Sequence, residues 1–203
     1  MAVQFLNLSA LLYVGFRLAP FILVSFFVIS SVFNSDIRGI IFLGLMLMNC
    51  FITIAIGNTI GPYLGGNDYA EMNGVCLTMN LTDTGPLSKY LPLSINIFTF
   101  TLAYLAQIIY SRKNINRNIP VVIIFSIIIL AQLFWLILNR CTTATCAVMS
   151  MGIGFFLGGL FSYIIDVNNL ADLQYFTGLY DQDVCKRSDT TFSCTTQYVM
   201  TGV

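Results

Sequence analysis

Ser94, Lys89 and Asp83 are the side chains best placed for chemistry, because they fall at the start of an apolar run where a membrane surface begins. A hydroxyl, an amine and a carboxylate there could serve a lipid-modifying reaction that needs no histidine. Each is equally an ordinary loop residue before a helix, where Pro and Ser are common. Other routes to catalysis close quickly. The chain has no histidine, which removes imidazole bases, His-led triads and most zinc sites. It has no Gly-rich phosphate loop, no HExxH and no nucleophile elbow. No metal, cofactor or catalytic set is expected, and the chain is expected not to be an enzyme.

Six cysteines offer covalent rather than catalytic chemistry. Cys50 falls inside an apolar run and reads as a small buried residue. Cys185 and Cys194 flank a turn-prone Arg187-Ser188-Asp189, so facing strand positions could bring them within disulfide reach. Cys76, Cys141 and Cys146 fall on the opposite side in the topology below.

The elements that would position these residues follow from composition. Of 203 residues, 57% are hydrophobic and 9% charged, against about 25% charged in an ordinary soluble domain. A soluble fold of this size could not cover so much apolar surface. The formal net charge is zero, so nothing points to nucleic acid. Charged residues are absent from Leu18 to Ser35, Gly39 to Asn67, Tyr90 to Ser111, Asn118 to Asn139 and Cys141 to Ile165. Each gap accommodates the ~20 residues that cross a hydrocarbon core. The fold class is therefore an all-α polytopic membrane protein with about five spans, near 18–33, 40–60, 91–110, 119–138 and 146–165. The first is short unless Leu8–Phe16 joins it. That extension would carry Arg17 and Pro20; alternatively Ala2–Arg17 lies along the surface as an amphipathic lead-in. No small-residue cleavage site follows, so an uncleaved anchor is expected.

Residues 1–165 thus form the helical bundle, with an extramembrane loop at 61–89. Residues 166–203 form an extramembrane tail that begins acidic and ends as a β-hairpin. Ser111–Asn118 carries Arg112, Lys113 and Arg117, which places that loop on the cytoplasmic side together with Arg38 and the tail. Asn80-Leu81-Thr82 and Asn7-Leu8-Ser9 match glycosylation sequons and would lie on the other face.

Two patterns could carry binding. Ser150, Gly154, Gly158 and Ser162 recur every fourth residue in the fifth span, and Asn49, Thr53, Gly57 and Gly61 do so in the second. Small residues on one face let helix backbones approach closely in lipid. The partner is another helix of this bundle, a second copy of the chain or another membrane protein. The third span has a polar stripe at Asn96, Thr99, Ala103 and Gln107. Its amides must find partners in hydrocarbon. They either bond Asn49 and Gln132 on neighbouring spans or line a water path for a small molecule. No span carries a central charge of the kind pumps and proton relays use.

Two stretches, GPLSKYLPLSINIFTFTLAYL (Gly85–Leu105) and VCKRSDTTFSC (Val184–Cys194), resemble multi-span membrane proteins of large icosahedral DNA viruses of algae and amoebae. In some relatives the loop before this span is similar to the Pro-Ser-Gly-His element of type 2 phosphatidic acid phosphatases. Here that stretch reads Pro92-Leu93-Ser94-Ile95, without the histidine such an enzyme needs. The resemblance implies a structural protein of the virion internal membrane, a minor capsid or membrane component. Its partners would be the lipid bilayer and capsid proteins, met through loop 61–89 and tail 166–203. An inactive phosphatase-like scaffold is the variant of that expectation.

Overall fold

A computed structural model of the chain describes residues 8–33, 37–64, 90–111, 115–168, 184–187 and 192–195, the last two stretches by backbone alone. Five long helices run through the described residues: α1 Leu8–Phe33, α2 Arg38–Ile60, α3 Leu93–Ser111, α4 Ile115–Leu138 and α5 Ala144–Val167. All five contain a segment long and apolar enough to cross a membrane: Val14–Phe33, Arg38–Ile60, Leu93–Ser111, Asn118–Leu138 and Ala144–Val167. The Val/Ile-rich run of α4, Val121–Ile129, would favour a strand in water. In hydrocarbon a helix satisfies every backbone group within one segment, and propensity yields.

The helix ends depart from the charge-free gaps. α1 begins at Leu8 rather than near residue 18, so Leu8–Phe16 continues the first helix through Pro20, with its span-long apolar segment starting at Val14. α3 begins two residues later than expected, because Pro92 marks its entry. α4 begins at Ile115, ahead of the expected residue 119, and Asn118 is fully buried in it rather than looped out. α5 begins at Ala144, with the Thr143 side chain accepting a bond from the Cys146 N–H.

The α4–α5 turn is a tight reversal. The Arg140 N–H bonds the Ile137 carbonyl and the Cys141 N–H reaches back to the Leu136 carbonyl. This paired closure puts the residue after the cap in the left-handed region. Arg140 occupies it at φ 54°, a conformation that costs a non-glycine residue about 1 kcal/mol.

α3 is the hub. Its most extensive interface is with α5, and it also touches α1, α2 and α4. Towards its Ser111 end the core is aromatic. Phe42 lies 4.6 Å from Phe27 and 5.0 Å from Tyr104 between ring centroids, and Phe100 meets Phe161 edge-on at 6.1 Å. Met46 and Ile108 complete this cluster. At that end the Ser111 hydroxyl donates to Asp166, tying the last turn of α3 to that of α5. A 3-10 turn, Gly61–Leu64, follows α2. In the tail, β1 Val184–Arg187 pairs antiparallel with β2 Phe192–Thr195, Cys185 opposite Cys194.

Candidate functional site

The other half of the bundle is held by polar groups. Asn49 of α2, Asn96 of α3 and Ser150 of α5 are each 0% exposed. Asn49 Nδ2 donates to Asn96 Oδ1 at 2.5 Å, and Asn96 Nδ2 donates to the Ser150 carbonyl at 3.0 Å. Ser150 Oγ donates to the Pro92 carbonyl at 2.8 Å. That carbonyl also accepts the Asn96 N–H at the entry of α3, at 3.4 Å. One side chain, Asn96, thus bridges three helices. Asn49 Oδ1 has no partner among the described residues.

The hydroxyls nearby need no such bridge. Thr53 donates to the Asn49 carbonyl at 2.8 Å, and Thr99 to the Ile95 and Asn96 carbonyls at 2.9 and 3.0 Å. Bonding one turn back along the same helix satisfies Ser and Thr inside lipid.

The α5 stripe makes this closeness possible. Ser150, Gly154, Gly158 and Ser162 are all buried. A methyl group on Gly158 would run into the Phe100 carbonyl, and one on Gly154 into Thr99 Oγ1 and the Asn96 carbonyl. Glycine here permits backbone-to-backbone contact between α5 and α3. Gly152 and Gly159, off the stripe, have open space instead. Gly57 of α2 faces the Leu91 side chain, and Gly61, which opens the 3-10 turn after it, faces that of Tyr90. These two seat the segment entering α3 rather than a neighbouring helix backbone.

No protein-family model, curated protein or solved structure matches this chain.

Two members of the expected polar network stand outside the seam. Gln132 bonds neither Asn49 nor Asn96. Its Nε2 donates to the Phe16 carbonyl of α1 at 3.3 Å. That carbonyl is four residues before Pro20, which has no N–H to give it. Gln132 supplies the missing donor, as neighbouring helices do for prolines in membrane spans. Phe16 and Trp135 pack beside it with ring centroids 6.3 Å apart. Gln107 is half-buried and opens on a shallow groove with Ala103, Ala106, Tyr110, Phe155 and Gly159.

Chemically the seam is neutral. It contains amides and hydroxyls, with no acid–base pair and no group of metal-binding side chains among the described residues. Ser94 is half-buried in the first turn of α3; Lys89 and Asp83 lie outside the described residues. Cys185 and Cys194 stand opposite each other in strand register, and the bond expected between them concerns side chains that are not described. Sequence reasoning missed the buried Thr101 and Asn118 and the aromatic cluster of Phe42, Phe100 and Tyr104. The aromatics do carry a signal: Phe100 and Tyr104 are one turn apart on the face that also holds Ile108.

Proposed function

We propose that this chain is a structural membrane protein of a viral particle, a minor component that anchors the internal membrane to the capsid. The observation that supports this reading best is Asn96. It is fully buried and bonded to both α2 and α5, so the most polar stripe of the bundle holds helices together. A closed Asn96 face counts against a water path there, which disfavours the carrier reading. The virion setting rests on the likeness of Gly85–Leu105 and Val184–Cys194 to membrane proteins of large DNA viruses. Capsid contacts fall to loop 61–89 and tail 166–203. In the tail, a two-stranded pair has outer edges able to accept a further strand from a partner.

Quantitative mass spectrometry of purified particles, against the membranes of infected cells, tests this. Enrichment in particles at a fixed ratio to the capsid protein is the expected result. Abundance in host membranes with none in particles would remove the reading.

A further inference from the structure

The groove beside Gln107 holds about 380 Å³ and is lined by Ala106, Gln107 and Tyr110 of α3, Val122 of α4, and Phe155 and Gly159 of α5. That volume lies in the range of small-molecule clefts, which are mostly apolar with a few polar groups and often sit between the helices of a bundle. Its shape follows from the α3–α5 contact. Gly154 and Gly158 turn towards α3 and bring the two backbones together. Gly159, one residue on, points away, and a methyl group there would meet nothing within 4 Å. Two small residues, Ala106 and Gly159, therefore leave a hollow between the larger Tyr110 and Phe155, which are 71% and 61% exposed.

The amide in this hollow differs from the others inside the spans. Asn49, Asn96 and Gln132 each donate to a neighbouring helix. The Gln107 side chain makes no hydrogen bond among the described residues, and neither does the Tyr110 hydroxyl. Hydrocarbon offers such groups no partner, and leaving them unmade costs free energy. Gln107 is one turn from Ser111, about 6 Å along the helix. Ser111 meets Asp166 there, so polar chemistry resumes at that level. Whatever fills the hollow must therefore be apolar along Ala106 and Gly159 and must bring an acceptor to the edge of the span. A neighbouring helix satisfies its own backbone groups and could answer Gln107 only with a matching polar side chain. A glycerophospholipid has both parts: acyl chains, and ester carbonyls where the hydrocarbon ends.

We propose that this groove binds one glycerophospholipid of the adjacent leaflet, with an acyl chain lying over Ala106 and Gly159 and an ester carbonyl accepting a hydrogen bond from Gln107 Nε2. Tyr110, at the end of α3, stands at the headgroup level, where tyrosines gather in membrane proteins. The site needs α3, α4 and α5 to span a bilayer and does not need the virion reading, so it survives if particle proteomics is negative.

The test uses the full chain, delipidated in detergent and titrated with dioleoylphosphatidylcholine or with its diether analogue, bound lipid being counted by native mass spectrometry. One diester lipid per chain is expected. It should bind about fivefold more tightly than the diether lipid, which keeps the chains but lacks the ester carbonyls. Gln107→Leu is expected to weaken the diester lipid to the level of the diether lipid and to leave the diether lipid unchanged. Gly159→Leu fills the hollow and is expected to abolish retention of both. Gly152→Leu, over open space outside the groove, is expected to bind as the wild type does. Equal affinity of the wild type for the two lipids would overturn the site, and so would undiminished binding to Gly159→Leu. A dimer of the chain that excludes lipid and dissociates in Gly159→Leu would give the groove to a second copy instead. The ester–ether comparison on the wild type needs no variant to fold, so the site is decided even if Gly159→Leu is unstable.

Discussion

α3 and α4 are both long apolar helices, yet they occupy opposite environments. Of the span window of α3, 56% is buried inside the bundle, against 11% for α4. The more hydrophobic-looking helix is the one left outside. α4 presents Ile123, Ile124, Ile127, Leu130 and Phe134 outward, while α3 buries Asn96, Thr99 and Thr101. In water the order would be reversed. In lipid, apolar side chains gain nothing by leaving hydrocarbon for protein. Close backbone approach and interhelical hydrogen bonds decide which helix takes the centre. The α5 glycines supply the first and Asn96 the second.

The contrast can be broken from either side. Gly158→Leu should have the largest effect, because its side chain meets the Phe100 backbone and not a movable side chain. Overpacking against backbone should destabilise by about 3 kcal/mol, read from unfolding in mixed detergent–lipid micelles. Gly152→Leu, which points into open space, serves as the control and should leave the unfolding midpoint in place.

Asn96→Leu should come next, at about 2 kcal/mol. It removes two interhelical bonds and leaves the buried Asn49 amide without its acceptor. Gln132→Leu should cost about 1 kcal/mol by stranding the Phe16 carbonyl. Combining it with Pro20→Ala should recover most of that loss, because alanine restores the N–H within α1. Absence of that recovery would mean that Gln132 does not complete the proline gap. The smallest effect should belong to Phe134→Leu on the outer face of α4, within about 0.5 kcal/mol.

The spans were legible in the sequence because a missing charge is visible without knowing any partner. Their ends were less so. The first helix was expected near 18–33 and starts ten residues earlier, at Leu8, and the carbonyl that Pro20 leaves without a donor is met by a glutamine 112 positions away, Gln132. The small-residue stripe of α5 was legible from its spacing, but that spacing does not name the helix it meets. Asn49 and Asn96 were recognisable as amides needing partners, and their pairing emerges only once α2 and α3 are side by side. Gln132 misled for the same reason: the sequence shows a donor, while the orphaned acceptor is created by a proline in another helix. Gly57 and Gly61 shared a four-residue repeat with Asn49 and Thr53, yet they accommodate side chains of the incoming segment rather than a helix.

Asn49 and Asn96 hold the bundle together across α2 and α3. A double-mutant cycle of Asn49→Leu and Asn96→Leu, measured by unfolding in bicelles, tests it most directly. The two losses should fail to add, with a coupling of about 1 kcal/mol in favour of the native pair. Strictly additive losses would show that the two amides do not stabilise one another and that α2 and α3 are joined by other contacts.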